Sequence, residues 1–156
     1  MVDKIRYTNK ADTMAAVSED GRALRYASEA LRADRDFILE VVKENAFALQ
    51  YANAELRADK EIVMAAVKKV GSALEYASEV LRADRYFILE VVKKDGYALK
   101  YASEELKADL EVVTVAIEEN GRALRFASDD IKKDQDVVMA AVKKVGSALE
   151  YASEVL

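Results

Sequence analysis

Ala83-Asp84-Arg85-Tyr86-Phe87-Ile88-Leu89-Glu90-Val91-Val92-Lys93-Lys94-Asp95-Gly96-Tyr97-Ala98-Leu99-Lys100-Tyr101-Ala102-Ser103-Glu104-Glu105-Leu106 is the stretch that decides the fold. Its glycine lies on a period of 25, shared by Gly21, Gly71, Gly96, Gly121 and Gly146, with Ala46 in the remaining place. An aspartate ladder keeps the same step: Asp34, Asp59, Asp84, Asp109 and Asp134, with Asn9 first. Self-similarity at a fixed period of this size marks a repeat architecture. Six repeats follow one another without a gap, at about 9–31, 34–56, 59–81, 84–106, 109–131 and 134–156, with 1–8 as a lead-in.

Each repeat reads as two short helices. Asp and Asn are preferred N-caps because their side-chain oxygen accepts from backbone N–H groups that lack a partner at a helix start. After Asp34 come Phe37, Ile38, Val41 and Val42, a helical rather than alternating spacing, over a first helix from Arg35 to Asn45. Acids such as Asp36 and Glu61 fall in first turns and Lys43, Lys68, Lys93 and Lys143 in last turns, as the helix dipole favours. The glycine is expected in the left-handed position that ends a helix. A second helix then carries Ala48, Leu49, Ala52 and Leu56 on one face and ends near Arg57-Ala58.

Helices this short are not stable alone in water, so each repeat must be held by its neighbours. The expected fold is therefore all-α, an α-solenoid of six 25-residue two-helix repeats forming a single array. The first repeat has Asp12-Thr13 where others have Phe37-Ile38 or Ile62-Val63, which reads as a solvated cap. The sixth ends on Val155-Leu156 without polar residues, which suggests further chain or packing at that end.

Composition removes several function classes. The chain has no Pro, no Cys and no His in 156 residues, with 24 Lys and Arg against 29 Asp and Glu. Disulfides, thiolate chemistry, zinc–thiolate sites, the commonest metal ligand and the commonest general base are all absent. A net charge of −5 argues against a phosphate backbone as partner. The opening residues, Met1 to Tyr7, lack the apolar core of a secretory signal, and no apolar run approaches membrane-spanning length. A cytoplasmic location is expected, without membrane association. Phosphate-binding glycine loops, nucleophile elbows and zincin motifs are missing, so no catalytic residue, cofactor or metal ligand is expected. The carboxylate pairs Glu104-Glu105 and Asp129-Asp130 read as solvated helix surface.

The recurrence of glycine, Ala-Leu, Tyr-Ala-Ser and Leu-Arg-Ala-Asp in fixed register resembles a tandem repeat family, the domain-of-unknown-function family numbered four-one-one-six. The resemblance runs from about Asn9 to Leu156, with Ala46, Phe126 and Lys133 as departures. It implies helical repeats and supplies no activity or site residue.

Three ladders invite functional readings. The aspartates are one per repeat, each before a helix, so capping explains them better than calcium, which needs converging oxygens. Tyr26, Tyr51, Tyr76, Tyr101, Phe126 and Tyr151 read as packing residues whose hydroxyls reach the surface. Arg32, Arg57, Arg82, Lys107 and Lys132 end the second helix, where cations complement the dipole.

What varies between repeats points to function. Positions spaced i, i+3, i+7 on the second helix read Arg22/Arg25/Glu29, Phe47/Gln50/Ala54, Ser72/Glu75/Glu79, Tyr97/Lys100/Glu104, Arg122/Arg125/Asp129 and Ser147/Glu150/Glu154. A fixed frame with a variable face is how repeat proteins build extended binding surfaces. The candidate partner-binding face is therefore Arg22, Arg25, Phe47, Gln50, Ser72, Glu75, Tyr97, Lys100, Arg122 and Arg125. Residues 63–81 are identical to 138–156, which suits a duplicated array better than a unique active site. The expectation is a non-catalytic scaffold for protein–protein interaction, part of a larger protein. It is expected as a monomer, with end-to-end association open. The alternatives are a spacer without a ligand and a per-repeat binder of single-stranded nucleic acid.

Overall fold

The computed structural model describes residues 6–152. The chain is all-α with tandem repeats, and it divides into two compact units, residues 1–78 and 79–156. Glu154 and Val155-Leu156, on which two expectations fall, lie outside the described residues.

In the first unit, α1 (Lys10–Glu19), α3 (Arg35–Glu44) and α4 (Lys60–Lys69) are the long helices of successive repeats. Each starts where the aspartate ladder expects it. Asn9 accepts from the Asp12 N–H, Asp34 from Phe37, and Asp59 from both Glu61 and Ile62. Phe37, Ile38, Val41 and Val42 of α3 and Ile62, Val63 and Ala66 of α4 are buried. Full burial of such an aliphatic or aromatic side chain contributes about 1.5–3 kcal/mol.

The second unit repeats the plan with α6 (Arg85–Val92), α8 (Leu110–Glu119) and α9 (Gln135–Lys144). Asp84, Asp109 and Asp134 cap them by accepting from Phe87, Val112, and Asp136 with Val137.

Two expectations about the rest of the repeat are corrected. The second helix is two pieces. A six-residue 3₁₀ helix, such as Gly21–Tyr26 or Gly96–Tyr101, is followed by an extended alanine and then a short helical turn. That turn is α2 (Glu29–Arg32), α5 (Glu79–Arg82) and α7 (Glu104–Lys107) in three repeats, and 3₁₀ at Leu56–Ala58 and Ile131–Lys133 in two others. The break sits at the Tyr-Ala-Ser motif because the polar residue there works twice. Its side chain caps the turn, as Ser28 does for the Leu31 N–H and Asn53 for the Leu56 N–H. Its backbone N–H leaves its own repeat and donates to the preceding one: Ser28 to Tyr7, Asn53 to Arg32 and Ser78 to Arg57 at 2.8–3.0 Å. In the second unit Ser103 donates to Arg82 and Ser128 to Lys107. Tyr7, in the lead-in, thus stands in the place that Arg32 takes one period later.

The glycines are not left-handed. No described residue has a positive φ. The residue before each glycine is extended instead, as Asp20 is at φ −147° where it closes α1. At Gly21, Gly96 and Gly121 glycine is favoured by close approach, whereas nothing lies near Gly146. A methyl group on Gly21 would lie 2.5 Å from the Asn45 side chain of the next repeat. One on Gly121 would lie 2.7 Å from the Ala141 carbonyl oxygen, and one on Gly96 would collide with the Ala116 carbonyl. Ala46 carries its methyl buried, at 2% exposure.

Within the first repeat Asp12 is exposed, as a solvated edge requires, but Thr13 is not part of that edge. Thr13 is fully buried, its hydroxyl donating to the Asn9 carbonyl at 2.6 Å.

Candidate partner-binding face

The 3₁₀ helices carry the variable positions. Three residues per turn bring i and i+3 directly above one another. Arg22 and Arg25, Phe47 and Gln50, Ser72 and Glu75, Tyr97 and Lys100, and Arg122 and Arg125 are therefore eclipsed pairs, each on one edge of its helix. The third position of the expected triads does not share that helix. Glu29, Glu79 and Glu104 lie beyond the break, in the short turn.

In four repeats the residue before the glycine or Ala46 holds the first position of the pair. Asp20, Asn45, Asp95 and Asn120 accept through their side chains from the N–H groups of Arg22, Phe47, Tyr97 and Arg122 at 3.0–3.2 Å. In the third and sixth repeats that residue is Val70 or Val145, which makes no such bond, and the face position is Ser72 or Ser147. Large face residues and a side-chain cap go together.

Most of the candidate face is exposed: Arg22, Arg25, Phe47, Glu75, Tyr97, Lys100, Arg122 and Arg125, with Gln50 and Ser72 half-buried. The two rings are less free than a purely outward position. Phe47 is 42% exposed and meets Tyr76 of the next repeat edge-on, ring centres 6.4 Å apart. Tyr97 is 36% exposed and meets Phe126 edge-on at 4.7 Å. The aromatic ladder is thus half-buried between frame and face, and its members pair with face rings where these exist.

Arg125 is the most connected face residue. Its Nη1–H donates to the Tyr97 hydroxyl at 2.9 Å, and its guanidinium lies 5.1 Å from the Phe126 ring centre and 5.5 Å from that of Tyr151. Lys100 Nζ stands 5.0 Å over Tyr101, and the Arg25 guanidinium 5.1 Å over Tyr26. The link from Tyr97 to Arg125 spans one period plus three residues, so only the period could have announced it.

The other ladders serve the frame. Asp34, Asp59 and Asp109 each also meet the cation that starts the preceding helix: Lys10, Arg35 and Arg85 at 2.7–2.8 Å. Arg35 and Arg85 extend to Glu61 and Glu111 as well. The Arg85 guanidinium holds the Asp109 carboxyl below its ordinary range, and that of Asp34 is lowered by Lys10 and the Phe37 N–H. For Asp59, burial opposes the shift but the Arg35 and backbone hydrogen bonds outweigh it. The Asp-Arg dipeptide at 34–35 and 84–85 was the sequence signal for these bonds. In the basic ladder, Lys107 and Lys132 pair with Glu104 and Asp129, while the Nε atoms of Arg32, Arg57 and Arg82 are buried without a partner. Among the described residues no cluster of three or more Asp or Glu is arranged to hold a metal.

Four stretches of the chain, 13–57, 34–82, 84–132 and 109–156, match the family described as Domain of unknown function (DUF4116). The chain belongs to this family. Each DUF4116 match spans about two of the 25-residue repeats seen here. No curated protein and no solved structure matches the chain.

Proposed function

We propose that this DUF4116 chain is a non-catalytic scaffold that binds a protein partner along the exposed edges of its 3₁₀ helices. One observation carries the reading. Inside each 3₁₀ helix and just after it, the alanine, leucine and alanine of Ala48, Leu49 and Ala52 recur in every repeat, while the pairs beside them differ between successive repeats and include two partly exposed rings. Aromatic and arginine side chains are enriched where protein interfaces carry their binding energy. No described helix is long and apolar enough to cross a membrane, and a cytoplasmic setting is part of the proposal.

The test is affinity capture from an extract of the source organism, followed by direct titration of the recovered protein. Phe47→Ser with Tyr97→Ser should weaken that complex at least about tenfold. A folded double variant that binds every recovered protein as the parent does would refute the assignment of this face. The spacer reading draws support from the third and sixth repeats, where Ser72/Glu75 and Ser147/Glu150 offer little to a partner. Failure of the parent to retain any protein would favour it.

A further inference from the structure

Resting on that reading, we infer that the face of the second unit takes a carboxylate-rich polypeptide segment, with Arg122, Arg125 and Lys100 as its receptors. Within a chain of net charge −5, these three cations have no carboxylate within ion-pair distance among the described residues. The neighbouring cations differ. Lys107, Lys132 and Lys133 are tied to Glu104, Asp129 and Asp130. In the first unit Arg22 is tied to Asp20.

The Arg125 guanidinium is already oriented. Its bond to the Tyr97 hydroxyl at 2.9 Å uses one N–H, and its guanidinium carbon lies 5.1 and 5.5 Å from the ring centres of Phe126 and Tyr151. A guanidinium has five N–H groups in a rigid fork, and a carboxylate matches two of them. Fixing the fork before binding removes part of the ordering cost. Arg122 stands above Arg125 on the same 3₁₀ edge, so successive acidic residues of an extended segment meet successive receptors. Beside Arg125 and Tyr151 lies a hollow of about 470 Å³ with a mostly charged lining, Lys132 and Lys133 as well as Asp129 and Glu150.

Single-stranded nucleic acid fits less well. Sequence-tolerant binding of single strands stacks bases on open ring faces. Here Lys100 covers a face of Tyr101, Arg125 lies over Phe126 and Tyr151, and Tyr97 is engaged by Phe126.

The experiment is fluorescence anisotropy with the full chain and three labelled probes: a peptide alternating glutamate and leucine, its glutamine counterpart, and an oligothymidylate of equal charge. The variant is Arg122→Ser with Arg125→Glu, the residues already present in the third and sixth repeats as Ser72/Glu75 and Ser147/Glu150. Circular dichroism checks that it folds, and Arg22→Ser with Arg25→Glu is the control. The parent should bind the glutamate peptide at least about tenfold more tightly than the glutamine peptide, and added salt should weaken it. The variant should lose that preference and the control should keep it. Equal binding of both peptides would overturn the charge assignment and leave the interaction reading standing. Parent-like binding by the variant would overturn the receptor assignment, and absence of binding to either peptide would overturn the inference entirely. Tighter binding of the oligothymidylate, lost in the same variant, would replace it with a nucleic-acid site.

Discussion

The Nε–H of Arg85 donates to the Asp109 carboxylate at 2.7 Å, so the first residue of one long helix grips the N-cap of the next. Asp109 therefore holds its own helix and its neighbour's position together. One period later the arrangement is incomplete. Leu110 stands where Arg85 stood, and it is exposed, leaving Asp134 with its capping bonds alone among the described residues.

This difference predicts a contrast. Replacing either aspartate by alanine should cost on the order of 1 kcal/mol through the lost cap. Asparagine caps nearly as well, so Asp134→Asn should melt close to the parent, whereas Asp109→Asn should melt measurably lower because it also loses the Arg85 carboxylate. Thermal unfolding read by circular dichroism checks the pair. Calcium should shift none of the melting curves.

Acid should act through the same bonds. The folded Asp109 carboxyl lies below its ordinary value of 3.8, chiefly through the Arg85 bond. Its contribution to stability is full above that value and drains away as pH falls through the lowered folded value. Melting temperature measured from neutral pH downwards should fall more steeply at the acid end for the parent than for Asp109→Asn. Parallel curves would contradict the linkage.

The glycines offer a test by sign. At Gly121 an added methyl meets the Ala141 carbonyl oxygen, and Gly121→Ala should destabilise by about 1–3 kcal/mol. At Gly146 nothing lies within 4 Å and φ is negative, so Gly146→Ala should stabilise by about 0.4–1 kcal/mol. Ala46→Gly, which a left-handed backbone would have made stabilising, should instead cost about 1 kcal/mol, from glycine's greater freedom and the loss of a buried methyl. Denaturant melts of the three variants decide it.

Burial by the next repeat predicts another contrast. Leu24, Leu49, Leu74, Leu99 and Leu124 are 0% exposed, while Leu149, at the same place in the unit, is 61% exposed. Leu124→Ala should cost about 2–5 kcal/mol and Leu149→Ala about 0.5 kcal/mol. Equal losses would show that neighbouring repeats are not what stabilises each one.

The long helices were legible because their signals are local: an N-cap, then apolar residues at helical spacing. Asp34 followed by Phe37, Ile38, Val41 and Val42 needs no knowledge of the neighbours. Where an inter-repeat contact decides the backbone, the reading went astray. Ala48, Leu49, Ala52 and Leu56 fit one helical face, yet Asn53 spends its N–H on Arg32 of the preceding repeat and breaks the helix there. Glycine after a helix usually means left-handed backbone. Here the Ala141 carbonyl, 20 residues from Gly121, is the cause, and no local pattern announces it. On the face, exposure followed from variation between repeats, whereas the Tyr97–Arg125 bond needed three dimensions.

The rings of the face should matter modestly to folding. Phe47 and Tyr97 each lean on one ring of the next repeat, so each serine substitution should cost about 1 kcal/mol, the scale of an edge-on aromatic pair. Single variants measured by thermal melting will show whether Tyr97, which also accepts from Arg125, loses more than Phe47.

That the exposed 3₁₀ positions are free of the fold, and so available to a partner, is tested most directly by thermal unfolding of one variant. Arg22, Phe47, Tyr97 and Arg122 are all changed to serine, the residue that the third and sixth repeats carry as Ser72 and Ser147. The variant should keep the parent's helical signal and melt cooperatively, lower by roughly 4–8 °C for the two lost ring pairs. Loss of the helical signal, or a melting point lowered by more than about 15 °C, would contradict the claim.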